Sequence, residues 1–431
     1  MKKVYYCSDV KINENAYLYY NSFKNSFMIM NAIKHSLYKE YSPEKICDID
    51  NNFYKILIEE GFIIEDDVDE TAIIEYYKLL KKFDTYQYHI VINTTLDCNL
   101  NCWYCYESKI EGSLLNNNVI DLIKKNIIEK YNECCFKELK ISFFGGEPLM
   151  NFDSIKNILS FSKEFTSQNK INLIADFTTN ATLLKDNQLK FLKDFTCFFQ
   201  ITLDGYETKH NKIRFYKDNH KRTYRTIIEN IYKIQEYIEN SKIWIRINFD
   251  NKTLERFSEI LDDLSLLDRK KTFLIIRKIW QIPIDKIKKG LILESIQLSI
   301  NKKFFIDNFA LPRYEPCFAD RLNQVLINYD GKIFKCSTIE NFDDLNSEGS
   351  LCEETGKVIW DTNKIAKKFT AKTPDKCRLC KIFPVCKGPC GKNSSEDFFS
   401  CMYENAGFNF DEYIMYAYKI NNLLFDIFSK N

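Results

Sequence analysis

The chain lacks the marks of several protein classes. It has no run of about 18 uncharged apolar residues, so no membrane-spanning helix is expected. Met1 to Tyr6 contains no apolar core ahead of a cleavage site, so no export is expected and the cytoplasm is the default compartment. Charge of one sign is not in excess. Against 61 Lys and Arg stand 60 Asp and Glu, a formal net charge of +1. No strong field therefore points to nucleic acid or to a membrane surface. No internal repeat or low-complexity linker interrupts the sequence. At 431 residues the chain exceeds what one core usually supports, and two or three domains are expected.

Cysteine is what the chain has in excess, with 16 residues. In a reducing compartment, clustered cysteines read as metal or catalytic sites rather than disulfides. Ten of them fall into two groups. Cys7, Cys47, Cys134, Cys135, Cys197 and Cys352 are scattered and read mostly as small core residues.

Three regions succeed one another. In the first, to about Phe83, Ala16–Tyr20 and Ser26–Met30 flank the polar turn Asn21–Asn25 and predict a hairpin. Helical spacing follows over Ala32–Tyr41 and Asn52–Glu60, with Gly61 placed to end a helix in a left-handed residue. Phe62–Ile64 reads as a strand, and the whole as a small winged-helix-like unit.

The second region alternates strand and helix. Strands are predicted at His89–Asn93, Lys140–Phe144, Asn172–Thr178, Phe198–Leu203, Ile243–Phe249 and Thr272–Ile276. Helices are predicted at Val119–Tyr131, Ser154–Phe165, Asp186–Lys193, Thr223–Ile238 and Leu254–Leu266, with Asp186 and Thr223 as N-caps. Six such repeats imply parallel strands with right-handed crossovers, and an α/β partial (β/α)6 TIM-like barrel whose site lies at the carboxyl ends of the strands. The third region, about Pro316 to Cys401, has eight cysteines, all but Cys352 in one group, and little periodicity, so metal ligation would supply its stability. Asp411 to Phe428 reads as one amphipathic helix.

The first cysteine group follows the first of those six strands: Cys98-x3-Cys102-x2-Cys105. Three thiolates on one loop can hold three irons of a [4Fe–4S] cube and leave the fourth without a protein ligand. Zinc is the rival, but a structural zinc takes four protein ligands and no histidine lies nearby. With Tyr104 as the aromatic before the last cysteine, the motif resembles the radical S-adenosylmethionine (SAM) superfamily. The resemblance implies that the open iron chelates the methionine amine and carboxylate of SAM. One electron then splits the sulfonium into methionine and a 5′-deoxyadenosyl radical, which abstracts hydrogen from substrate.

Further residues extend the likeness. Gly145-Gly146-Glu147-Pro148 follows the second strand, where the family binds the methionine amino group. Two glycines permit close backbone approach to a ligand, and a carboxylate accepts from an ammonium. Thr178-Thr179-Asn180-Ala181-Thr182 resembles the family's Thr-Asn-Gly segment, with Ala181 in the glycine position. Thr202, Asp204 and Arg214 resemble the fourth-strand motif that contacts the ribose and carboxylate of the cofactor. Arg214 suits a carboxylate clamp, and equally a solvated surface position.

The second cysteine group reads Cys317, Cys336, Cys377-x2-Cys380-x5-Cys386-x3-Cys390 and Cys401. Taken alone it fits zinc and iron–sulfur equally. Its order resembles the SPASM domain, which implies two auxiliary [4Fe–4S] clusters: an outer one on Cys377, Cys380, Cys386 and Cys401, and an inner one on Cys317, Cys336 and Cys390. Some members of that family have another cysteine shortly before the position of Cys317, but Pro283 to Pro316 contains none. The inner cube is therefore left either with an iron open to an external ligand or with a distant residue such as Cys352.

The expected domains are a recognition domain at 1–83, the radical SAM partial barrel at 84–310, the SPASM domain at 311–405 and a C-terminal helix at 406–431. SPASM enzymes modify peptides and proteins. Roughly ninety residues precede the first cysteine loop, and Tyr19 to Asp67 resembles the leader-binding element of ribosomal peptide maturases, where a leader adds as a strand. The resemblance thus implies a maturase that installs a thioether or carbon–carbon crosslink in a precursor peptide. It implies SAM, three [4Fe–4S] clusters and an electron donor such as flavodoxin or ferredoxin. A sulfatase-type maturase is the alternative among enzymes, although Ser337 stands where those enzymes place aspartate. A degenerate peptide-binding partner protein is the alternative outside them. No residue is identifiable as the catalytic base.

Overall fold

A computed structural model describes residues 1–279, 281–307, 317–389, 401 and 409–428. These fall into two compact units. One comprises Met1–Lys82, Cys317 and the described part of Thr370–Asp426; the other comprises the described part of Phe83–Asn308 with Phe318–Phe369.

In the first unit, β1 (Lys2–Lys3) precedes three antiparallel strands, β2 (Cys7–Asn13), β3 (Ala16–Asn21) and β4 (Ser26–Asn31), in the order β2-β3-β4. The hairpin at Asn21–Asn25 is present, and β2 was not anticipated. Helices α1 (Ala32–Glu40), α2 (Pro43–Ile49) and α3 (Asn51–Glu59) follow, each opened by a side-chain cap from Asn31, Ser42 and Asp50 in turn. Gly61 ends α3 in the left-handed region at φ +73°, and β5 (Ile63–Ile64) then pairs with β1. Tyr19, Met30, Tyr38, Ile46, Phe53, Leu57 and Phe62 form the core of this part. Helix α4 (Glu70–Lys82) closes it.

The second unit is built on one large, mostly parallel sheet. Strands β6 (Gln87–Thr95), β7 (Glu138–Gly145), β8 (Asn172–Thr179), β9 (Thr196–Leu203), β10 (Ser241–Phe249), β11 (Thr272–Lys278) and β12 (Phe305–Asp307) run parallel in sequence order. All six predicted strands are found, each within two or three residues of its expected ends. Helices α5 (Asn117–Cys134), α6 (Phe152–Asn169), α7 (Asp186–Leu192), α8 (Glu207–Ile213) and α9 (Tyr224–Tyr237) lie between them, then the short α10 (Asn251–Glu255) and α11 (Phe257–Asp263). The single helix expected at Leu254–Leu266 is thus two. Beyond β12, strand β13 (Gln324–Ile327) joins the free edge of β6 in parallel, and β14 (Ile333–Phe334), β15 (Gly349–Leu351) and β16 (Val358–Trp360) continue as an antiparallel meander.

Side-chain alternation divides the sheet into two faces. On β9, Cys197, Phe199, Ile201 and Leu203 are wholly buried, whereas Thr196, Phe198, Gln200 and Thr202 are half-buried. The second row continues as Trp244 and Arg246 on β10 and Phe273, Ile275 and Arg277 on β11. The loop after β6 crosses the carboxyl ends of the neighbouring strands, since Tyr104, nine residues beyond the end of β6, accepts from Asn248 of β10 at 3.0 Å.

Candidate functional site

The site forms where strand ends converge. The first cysteine loop leaves β6 at Thr95 and is fixed from both sides. The Asp97 carboxylate accepts from the Cys98 backbone N–H at 2.7 Å. Backbone bonds from Asn101 to Phe215 and from Lys217 to Asn99 tie the loop to the segment after Arg214. Cys98 is buried, Cys102 half-buried and Cys105 exposed. Burial, with Glu147 nearby, pushes the Cys98 thiol up to about 12, and burial raises Cys102 against the opposing field of Arg214. Protonated thiols bind no metal, so loading must expel protons from this loop.

The two glycines after β7 serve the protein's own backbone. A Cβ on Gly145, whose φ is +110°, would lie 2.0 Å from the Thr95 carbonyl oxygen; on Gly146 it would lie 2.1 Å from that of Asp97. Their absence of side chains lets Gly146 N–H reach Thr95 O at 3.0 Å and Glu147 N–H reach Asp97 O at 2.9 Å. The cysteine loop is therefore clamped to the end of β7. Glu147 is fully buried, and its carboxylate accepts from Thr179 Oγ1 at 2.6 Å, Asn180 N at 2.7 Å and Leu149 N at 3.0 Å. Burial raises its acid to about 6 against these three donors. Pro148 opens a short 3-10 turn, and its carbonyl accepts from Thr94.

Asn180 connects the third strand to the cysteines. Its Nδ2 donates to Asn99 Oδ1 at 2.9 Å and points at Cys98 Sγ at 3.9 Å. Ala181 adopts φ +59°, the left-handed conformation a glycine would take at no steric cost. This residue stores about 1–2 kcal/mol of backbone strain. Replacing it by glycine relieves the strain but loosens the unfolded chain by about 0.5–1 kcal/mol. Ala181→Gly is therefore expected to raise stability by about 0.5–1 kcal/mol in denaturant unfolding; a loss of stability would refute the strain.

The fourth strand end supplies a buried polar knot. Asp204 is fully buried and Arg214 nearly so; their ion pair measures 2.5 Å. Tyr104 Oη donates to the Asp204 carboxylate at 2.6–2.7 Å, while Arg214 and Asn248 donate to Tyr104 Oη at 2.7 and 3.0 Å. Asn248 also donates to Asp204 at 3.0 Å. Arg214 is thus no solvated side chain. Burial opposes the Asp204 charge, but Arg214 outweighs it and the acid lies below its ordinary value.

His210 sits behind the knot. Its Nδ1 accepts from Asp204 N–H at 3.2 Å, and burial holds it neutral, down to about 3. Its Nε2 then donates to Thr223 Oγ1, which donates to the Arg214 carbonyl. Thr223 occupies the N-cap position of α9, as expected, but its hydroxyl is spent on Arg214 O and makes no cap bond. Asp186 is the first residue of α7 rather than its cap, which is Lys185. Thr202 lies on the half-buried row of β9, beside Arg246.

In the first unit, burial, reinforced by the fields of Cys386, Cys380 and Cys401, pushes the Cys377 thiol up to about 11. Its loop is held by the N-terminal residues: Tyr6 Oη donates to Arg378 O at 2.6 Å, Tyr5 Oη to Leu379 O at 2.9 Å, and Ser22 Oγ to Lys381 O. Phe383 packs on Tyr6 and Ile74. Cys317 is exposed, and Cys336 accepts from Thr338 N–H at 3.3 Å. Cys390 lies outside the described residues. Sequence reasoning missed Asn248, His210 and Asn99. Only Asn248 had a signal, since polar residues alternate with Ile245 and Ile247 in an otherwise apolar strand.

None of the described cysteines is in a disulfide. Among the described residues no three His, Cys, Asp or Glu side chains close tightly enough to hold a single metal ion. Three thiols on one loop, backed by an amide aimed at Cys98, fit the wider donor set of an iron cube with one corner free of protein.

Residues 92–264 match the model of the Radical SAM superfamily. The chain is 24% identical over 455 residues to the radical SAM cyclopropyl synthase TigE of Paramaledivibacter caminithermalis, covering 93% of this chain and 92% of that protein. It is 25% identical over 346 residues to a cysteine-type anaerobic sulfatase-maturating enzyme of Clostridium novyi, covering 70% and 87%. In fold it resembles anSMEcpe with bound AdoMet (TM-score 0.60, 16% identity, 80% of this chain and 100% of that one). It also resembles Streptococcus suis SuiB bound to its precursor peptide SuiA (0.50, 16%, 93% and 99%). Residues 92–264 are therefore a radical SAM domain, and the chain is a radical SAM enzyme related to peptide and protein maturases.

Proposed function

We propose that this chain matures a ribosomally made precursor peptide, forming a thioether or carbon–carbon crosslink. One observation carries this reading: the likeness to TigE runs over nearly the whole of both chains, whereas that to the sulfatase-maturating enzyme covers 70% of this one. The parallel sheet is read as a partial (β/α)6 barrel, with Cys98, Cys102 and Cys105 holding the SAM-binding [4Fe–4S] cluster at its mouth. When bound, the cluster supplies the electron that splits SAM into methionine and a 5′-deoxyadenosyl radical. Asn180 orients Cys98, the Gly145–Gly146 clamp fixes the loop, and the Tyr104–Asp204–Arg214 knot sets the ribose and carboxylate side. Arg214 serves there through the charge it holds in place, with Nε and Nη2 already engaged by Asp204 and Tyr104.

Met1–Phe83 is read as a winged-helix-like recognition domain for the leader. Edge strand β4 carries Ile29 at 53% exposure, and Ile33 follows at 79%, an apolar rim on which an added strand could pack. The nearness of Cys386, Cys380 and Cys401 to Cys377, felt in its electrostatic field, supports an outer auxiliary cluster on these four. Cys317, Cys336 and Cys390 are assigned to an inner one on resemblance, in a SPASM domain. A flavodoxin or ferredoxin would supply electrons in the cytoplasm. Among the described residues no helix is long and apolar enough to cross a membrane.

Mass spectrometry of a candidate precursor co-expressed with this chain tests the proposal. A loss of two hydrogens, absent with Cys98→Ala, is expected. A second test separates leader recognition from catalysis. Ile29→Arg with Ile33→Asp should weaken precursor binding about tenfold or more while SAM cleavage without peptide persists. Unchanged binding would remove the leader from β4.

A further inference from the structure

Three arginines stand near the carboxyl ends of the strands, and two have a carboxylate of their own. Arg214 pairs with Asp204, and Arg277 of β11 pairs with Asp307 at 3.1 Å. Arg246 of β10 differs. Its Nε donates to Asn248 Oδ1 at 3.0 Å, and among the described residues no carboxylate lies within ion-pairing distance of its guanidinium. Burial above all, and then the fields of the cations Arg277 and Arg214, depress its basicity, while Tyr106 and Tyr104 partly offset them. A half-buried guanidinium facing only like charge is costly. Such an arrangement is relieved when an anion arrives, and the guanidinium's planar fork matches a carboxylate.

Position on the sheet indicates whose carboxylate. The proposed cofactor residues follow β6, β7, β8 and β9: Cys98–Cys105, Gly145–Glu147, Asn180 and Asp204. Arg246 belongs to the far half of the same face. Beneath it run stacked or edge-on rings: Phe198 with Trp244 at 5.5 Å between centroids, Trp244 with Phe273 at 5.0 Å, and Phe273 with Phe305 at 5.5 Å. A cation at the rim of an aromatic floor suits an acidic side chain flanked by apolar residues.

We propose that Arg246 is a specificity residue that binds an Asp or Glu side chain of the peptide substrate. This rests on the peptide-modifying reading above. The test uses reconstituted full-length protein, wild type, Arg246→Gln and Arg246→Lys. The probes are the capped tripeptide Phe-Asp-Phe, its twin Phe-Asn-Phe, SAM and decarboxylated SAM, each measured by equilibrium binding.

Wild type should prefer the Asp peptide about tenfold, the worth of one charge-assisted bidentate pair. Arg246→Gln should bind the twins equally, and Arg246→Lys should keep part of the preference. SAM affinity should stay within about twofold throughout. Equal binding of the twins by wild type overturns the proposal. So does a loss in Arg246→Gln that appears with SAM but not with decarboxylated SAM, since that gives the arginine to the cofactor. Failure of the radical SAM reading itself would look different, because wild type would then bind no SAM.

Discussion

Cys98→Ala is expected to release no 5′-deoxyadenosine from SAM under anaerobic reducing conditions, and to carry about four fewer irons per chain than wild type. Cys98 is the most buried of the three thiols and the one at which Asn180 is aimed. Its backbone N–H is held by Asp97, and the next turn of chain donates to its sulfur from Leu100 N at 3.4 Å. Alanine keeps this backbone but leaves two thiolates for a cube that needs three. Iron content should fall even where the fold survives, so chemical iron analysis with circular dichroism separates loss of ligation from loss of structure. Full iron content with undiminished cleavage would show that the cube is held elsewhere.

Asp204→Asn should cost about 3–5 kcal/mol of stability, because it leaves Arg214 charged, buried and without an anion. Asparagine keeps the shape and can still accept from Asn248, so the cost isolates the charge. Arg214 also donates to Tyr104 and Thr223 holds its backbone carbonyl, so its side chain cannot swing out to water without breaking the Tyr104 bond. The sign of the pH dependence follows. The folded-state acid of Asp204 lies below its ordinary value. Its stabilisation is therefore fully present above the unfolded pKa of about 3.9 and lost as pH falls through the lower folded value. Wild type should lose stability in acid more steeply than Asp204→Asn. A cost below about 1 kcal/mol, typical of an exposed pair, would contradict the knot.

The parallel strands were legible because a strand covered on its helix side reads as a near-continuous apolar run, and His89–Asn93 or Ile243–Phe249 can hardly be read otherwise. The meander β13 to β16 was not, since strands of two to four residues carry no measurable period. Strand β2, with Lys11 and Asn13 among its residues, lacks the apolar alternation that reveals a hairpin arm. Helix α4 escaped notice behind the acidic stretch before it.

At the site, cysteine spacing pointed to the loop but not to what fixes it. Gly145 and Gly146 suggested close approach to a ligand, and the spacing did not reveal that they also admit the carbonyls of Thr95 and Asp97. Glu147 suggested an acceptor for an ammonium, and the spacing did not reveal that its oxygens accept from Thr179, Asn180 and Leu149. Such partners are distant in sequence, and no spacing rule reports them. The same holds for the docking of the Cys377 loop on Tyr5, Tyr6 and Ser22, which places the N-terminal residues in one unit with Cys377.

Electron paramagnetic resonance of the reduced, reconstituted protein, with and without SAM, tests most directly whether Cys98, Cys102 and Cys105 hold an iron cube with one accessible corner. A signal that SAM alters, and that vanishes in Cys98→Ala, is the predicted result. A signal indifferent to SAM, or zinc bound in this loop in place of iron, would contradict it.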